Sequence, residues 1–223
     1  MQTATKTELI TFNNWTLRIK SSSVENPRLM VMIHGLTGDE NSMWVFARKL
    51  SYPYWMIAPR APHSTEPFGF SWRDVNKHPL HSDFGRPSLE MLFPSLEALI
   101  KLIDEYSASL KIDASQFDAM GFSQGAAMVN LLGLIYPNRI RKMAVLAGFV
   151  PSGLDEYIEK KTLTGKNMFV FHGTQDETIP IDRAHASIEL LKQAGANVNF
   201  VEEAVGHKLG PNGLRALEEY FAD

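Results

Sequence analysis

The sequence predicts an α/β fold: a mostly parallel central sheet with helices on both faces. Three observations lead there. Short apolar runs alternate with longer helix-like segments along most of the chain, the pattern of strands joined by right-handed crossovers. The runs themselves, such as Leu29-Met-Val-Met-Ile33, are apolar on both faces, as a sheet covered on both sides requires. The sharpest strand-to-helix transition, Gly121-Phe-Ser-Gln-Gly125, places small residues around one serine, where a tight turn needs them.

Glu8 to Phe12 and Trp15 to Lys20 alternate around Asn13-Asn14, which predicts a β-hairpin at a sheet edge. Leu29 to Ile33, Tyr54 to Ala58, Phe117 to Gly121, Met143 to Ala147, Met168 to Phe171 and Val198 to Val201 read as the remaining strands. Helices are expected at Asn41 to Leu50, Ser88 to Leu110, Gln124 to Tyr136, Ile181 to Ala194 and Pro211 to Phe221. Arg60 to Pro87 is the one long irregular stretch, and loops of that length in compact domains are usually functional. There is no internal repeat and no low-complexity tract.

Composition narrows the class. With 223 residues and 44% hydrophobic content the chain is long enough for one substantial core, so residues 1–223 are expected to form a single domain. A formal net charge of −3 and the lack of a Lys/Arg-rich stretch give no footprint for nucleic acid. The absence of cysteine removes disulfide, redox and thiolate chemistry. Met1 to Leu9 lacks the apolar core of a secretion signal and no apolar run approaches membrane-spanning length, so a cytoplasmic protein without integral membrane association is expected. Oligomeric state stays open.

The chemistry follows from Ser123. A serine on a sharp strand-to-helix turn presents its hydroxyl, and the following helix aims free N–H groups at the same point. That is the arrangement of acyl transfer, which also needs a histidine base and an acid to orient it, in the chain order Ser, Asp, His. Asp176 lies in the loop after Met168-Phe-Val-Phe-His172, and His207 in the loop after Val198-Asn-Phe-Val-Glu202. Each sits beyond the carboxyl end of a predicted strand, where open α/β sheets build their sites. Glu177 is a rival acid, but the loop position set by Gly173 favours Asp176. Of seven histidines, His207 alone follows a glycine in a loop after the last strand.

A second N–H donor for the oxyanion is expected from His34-Gly-Leu-Thr-Gly38, after the first parallel strand. Leu36 with Gln124 is the expected pair and Thr37 the fallback, while His34 supports the loop through hydrogen bonds. Trp72, Phe70, Phe68 and Ile179 point to a small or medium hydrophobic acyl or alcohol group, although each also fits a packing role.

Four separated segments carry a family likeness: His34-Gly-Leu; Pro59-Arg-Ala-Pro62 with Phe70-Ser-Trp-Arg-Asp74; Gly121-Phe-Ser-Gln-Gly125; and His172-Gly-Thr-Gln-Asp176 with Gly206-His207. Over nearly its whole length the chain resembles the phospholipase/carboxylesterase branch of the α/β-hydrolases, which includes acyl-protein thioesterases and small bacterial carboxylesterases. The resemblance implies an α/β-hydrolase fold, a cofactor-free serine esterase or thioesterase for small-molecule substrates, a Ser123, Asp176, His207 triad, oxyanion donors Leu36 and Gln124, and Trp72 near the acyl site. Three positions depart from the family pattern: Thr37-Gly38-Asp39 after the first turn, Arg73 where an aromatic commonly follows the tryptophan, and Lys208-Leu209-Gly210 after His207. They bear on the substrate, so depalmitoylation does not follow from the likeness.

Rival readings differ in what they require. A metal-dependent hydrolase would use His78, His81 and Asp83, although such residues in a polar loop are more often solvated. A non-catalytic binding protein on the same fold would be marked by a missing triad member, and none is missing. An acyltransferase would pass the same acyl group to an alcohol, which product analysis separates from hydrolysis. A dehalogenase or epoxide hydrolase would want an acid in place of Ser123.

Overall fold

Asparagine tolerates positive φ, and Asn13 and Asn14 adopt φ of 45° and 66° to turn Glu8–Phe12 (β1) back onto Trp15–Lys20 (β2). This computed structural model describes residues 7–48, 50–77 and 87–222. Beyond the hairpin, Leu29–Ile33 (β3), Trp55–Pro59 (β4), Phe117–Phe122 (β7), Ile140–Leu146 (β8), Asn167–Gly173 (β9) and Asn197–Glu203 (β10) complete an eight-stranded sheet. The strand order is β1-β2-β4-β3-β7-β8-β9-β10; β1, β2 and β4 pair antiparallel and every later neighbour pairs parallel.

Alternation along the strands feeds two cores. Val31, Ile33, Ala119, Val145 and Val170 face one side. Leu89–Leu110 (α2), Gln124–Ile135 (α3), Asp155–Glu159 (α4) and Ile181–Gln193 (α5) cover it. Met30, Met32, Met120, Leu146 and Phe171 face the other, under Trp44–Ala47 (α1) and Pro211–Tyr220 (α6). Helix α3 is buried nearly all round, which explains why its sequence carries no polar stripe. The chain runs from β3 to β4 in one direction and from β7 to β8, β9 and β10 in the other. The switch point therefore lies between β3 and β7, where loops leaving neighbouring strands diverge and leave a crevice.

Two expectations are corrected. The helix predicted over Asn41 to Leu50 is reduced to Trp44–Ala47, because Asp39 Oδ1 accepts from Asn41 N at 2.8 Å and from Ser42 Oγ at 3.0 Å, holding a turn in place of a first helical turn. The stretch Arg60 to Pro87 is not wholly irregular: His63–Ser64 (β5) and Phe70–Ser71 (β6) form a small antiparallel pair. His78, His81 and Asp83 lie outside the described residues.

One charged group sits inside the run that reads as apolar. Asp118, fully buried at the start of β7, accepts from Tyr54 Oη at 2.6 Å, Arg141 Nε at 2.8 Å and Lys142 N at 3.1 Å. Burial, then the Asp118 charge, pushes the Tyr54 hydroxyl far above its ordinary range, so it stays a donor. Asp118→Ala would leave Arg141, whose side chain is only 27% exposed, facing a vacated charge site. It is expected to lower stability by about 3 kcal/mol, the low end for a broken buried pair because Arg141 keeps some solvent. A lower urea midpoint at unchanged denaturant slope checks this.

Candidate active site

The crevice is built by the turn that follows β7. Ser123 takes φ 55° and ψ −116°, a conformation that costs a non-glycine residue about 1–3 kcal/mol. Close packing imposes it. A Cβ at Gly121 would lie 2.1 Å from Gly125 O, and one at Gly125 would lie 2.0 Å from Ile33 O. The turn is therefore pressed against itself and against the end of β3, and only glycine fits at both places. Ser123 N donates to Leu146 O at 2.9 Å, anchoring the turn to β8 as well.

Asp176 is 5% exposed, and its two oxygens have separate duties. Oδ1 accepts from Thr178 N and Ile179 N, each at 2.9 Å, which fixes the carboxylate to its own loop. Oδ2 accepts from His207 Nδ1 at 2.6 Å, a short contact of the charge-assisted kind. Donation from Nδ1 leaves Nε2 as the basic nitrogen of a neutral His207. The ring of Phe122 lies 4.8 Å from that of His207 and is itself stacked on Phe46 at 5.5 Å, so the imidazole is held on its face as well as at its Nδ1 edge. Glu177, the rival acid, is exposed.

Two cavities, of about 240 and 290 Å³, meet at Leu36, Thr37, Ser123 and His207, which line both. The first continues past Gln124, Phe149, Ile179, Arg73 and Arg183; the second past Met43, Phe46 and Phe122. Gln124 opens α3, so its N–H has no intrahelical acceptor, and no hydrogen bond among the described residues engages Leu36 N–H. Thr37 N–H donates to Phe70 O at 3.0 Å, which removes the fallback donor.

A family model described as Phospholipase/Carboxylesterase matches residues 14–222. The chain belongs to that family. This makes it a serine hydrolase of the esterase type, acting on carboxylic esters or thioesters. The acyl-protein thioesterase 1 of Candida albicans is 27% identical over 225 residues, covering 93% of each chain. A probable carboxylesterase of Arabidopsis thaliana, described as SOBER1-like, is 29% identical over 156 residues, which span 68% of this chain and 58% of that relative. A crystal structure of a carboxylesterase from Mesorhizobium loti superposes with a TM-score of 0.79 at 22% identity, over 97% of this chain and 98% of that one. The last likeness establishes the shared α/β-hydrolase fold.

Against this phospholipase/carboxylesterase frame, the residues expected to touch substrate separate. Ile179 lines the first cavity. Trp72 and Phe70 line neither cavity, and Phe68 is 69% exposed. Trp72 is fully buried: its Nε1 donates to His34 O and its backbone N to Gln124 Oε1, each at 2.9 Å. It thereby ties the Leu36 loop to the Ser123 turn. Phe70 pairs its backbone with Thr37 and Gly38 and packs its ring under the Arg60 guanidinium at 4.6 Å. Both residues brace the loops that carry Leu36 and Gln124, a role that aromatic character alone could not distinguish from pocket lining. Nothing in the sequence signals the positions of Phe122, the Gln124 side-chain carboxamide or Arg183. The variable positions of a G-x-S-x-G turn carry no pattern, and Arg183 reaches the cavity only through the packing of α5.

His34 fills the expected supporting role with both nitrogens. Nδ1–H donates to Gly35 O at 2.7 Å and Nε2 accepts Ala61 N–H at 3.0 Å, so the ring is neutral and pins two loops. Burial is the main cause that holds both His34 and His172 below their ordinary value of 6.5. Below about pH 6.5 the unfolded chain takes up protons that the native chain refuses, so this contribution is complete above that pH and is lost as pH falls. The urea midpoint is expected to drop between about pH 7.5 and about pH 5.5, and His34→Gln to show a shallower slope across that window.

Proposed function

We propose that the protein hydrolyses esters or thioesters of small to medium acyl groups through an acyl-enzyme on Ser123. One observation carries the reading: a strained serine at the rim of two cavities shares them with an imidazole whose other nitrogen is bound by a buried carboxylate at 2.6 Å. His207 Nε2 takes the hydroxyl proton as Ser123 Oγ forms its bond to the carbonyl carbon. The oxygen of the tetrahedral intermediate is held by the Leu36 and Gln124 N–H groups. Asp176 stabilises the imidazolium, which then protonates the departing alcohol or thiol as its bond to carbon breaks. Water, deprotonated by the same imidazole, attacks the acyl carbon; the acid departs and the proton returns to Ser123.

The cavities support the size class, since about 240 and 290 Å³ take a short chain or a single ring on each side of the reacting carbonyl. The two compartments give an acyl half and a leaving half separate places.

Ser123→Ala is expected to lower kcat on a short-chain aryl ester by about 10⁴-fold or more, with the variant's thermal midpoint at or slightly above that of the parent because the strained turn loses nothing it needs for packing. A fluorophosphonate probe followed by peptide mass mapping should label Ser123 alone. Turnover retained in Ser123→Ala, or a label on another residue, refutes the assignment.

A further inference from the structure

Arg73 stands where the family pattern usually has an aromatic, directly after the Trp72 clamp. Its residue is only 4% exposed, yet its Nε has no hydrogen-bond partner and no carboxylate faces the guanidinium among the described residues. A guanidinium does not deprotonate in proteins, and leaving one buried without a counter-charge is costly. Burial alone accounts for the depression of its pKa; no neighbouring acid raises it. The side chain lines the first cavity beside Ser123.

The rest of that cavity has the same sign. Arg183 also lines it, with its guanidinium 3.8 Å over the Phe149 ring, and no Asp or Glu is among the described residues that line it. Asp176 is turned away, with both oxygens already engaged. In a protein with a formal net charge of −3, two guanidiniums therefore line the compartment next to its nucleophile, and that of Arg73 has no counter-charge among the described residues. Phe149 and Ile179 supply an apolar wall, so the shape is that of a short hydrocarbon spacer leading to an anion.

Resting on the serine-esterase reading above, we propose that Arg73 is a specificity-determining residue, and that the preferred substrate is an ester or thioester carrying a free carboxylate on a short apolar spacer from the reacting carbonyl. The planar fork of a guanidinium matches a carboxylate with two parallel hydrogen bonds, and the bound anion supplies the partner that the free protein lacks. Neutral esters fit the same space but leave Arg73 unpaired.

The test compares twins. Aryl half-esters of glutaric to suberic acid place the carboxylate on the acyl side; 4-carboxyphenyl butanoate places it on the leaving side. Each is assayed beside its methyl-capped neutral twin, in the parent and in Arg73→Met. At least a tenfold higher kcat/KM for one anionic series over its twin is expected, with that ratio collapsing towards one in Arg73→Met; which series responds shows which half occupies the cavity. Free glutarate should raise the thermal midpoint of the parent and leave that of Arg73→Met unmoved. If Arg73→Met does not fold, the parent's twin ratio and its response to glutarate decide. Equal rates on both twins in the parent, or a ratio that survives in Arg73→Met, overturns the inference while leaving the esterase reading intact. Hydrolysis of neither twin, or hydrolysis that persists in Ser123→Ala, sinks the esterase reading itself.

Discussion

The reactive end of the molecule depends on how closely the turn after β7 is pressed against β3. Gly125 meets Ile33 O, and Gly121 meets Gly125 O, at separations that exclude any side chain. That contact does two things at once. It drives Ser123 into positive φ, and it sets the first turn of α3 beside the loop that leaves β3. Leu36 and Gln124 then line the same cavity from different elements. Under the proposed mechanism their N–H groups would be preorganised donors, which need no reorganisation when charge develops.

Asp176 and His207 are held by a second set of constraints, largely independent of the first. The carboxylate of Asp176 is bound to its own backbone through one oxygen and reaches His207 with the other, so it cannot follow the histidine if that loop moves. Phe122 links the two sets, since it is next to Ser123 in the chain and its ring packs on His207. Trp72 and His34 link the outer loops through buried hydrogen bonds. Among the described residues, Arg73 Nε is buried beside these loops with no hydrogen-bond partner.

The sheet and its helices were legible because apolar periodicity reports burial directly. The continuous run at β3 and the Asn13-Asn14 turn required no tertiary information. The helix over Asn41 to Leu50 was misread because a local side-chain turn at Asp39 competes with the helix, and periodicity does not report that competition. Chain order and strand ends single out Ser123, Asp176 and His207 in the sequence, and in the structure Asp176 is buried while Glu177 is exposed. For Trp72 and Phe70 the sequence leaves both roles open, because a large aromatic in a loop looks the same whether it lines a cavity or braces one. Only the hydrogen bonds of the Trp72 indole and the backbone pairing of Phe70 separate the two roles. Asp118 was hidden in an apolar run, and its partners Tyr54 and Arg141 come from strands far apart in sequence.

The central claim is geometric: one alcohol, one imidazole and two amides converge on a single reacting carbon. A crystal structure of the protein after reaction with a small alkyl phosphonate tests it most directly, because the adduct mimics the tetrahedral intermediate. The account predicts phosphorus bonded to Ser123 Oγ and the phosphoryl oxygen about 2.7–3.1 Å from both Leu36 N and Gln124 N. It also predicts that the Asp176–His207 hydrogen bond is retained. A phosphoryl oxygen pointing to solvent, or an imidazole released from Asp176 and turned out of the cavity, would contradict it.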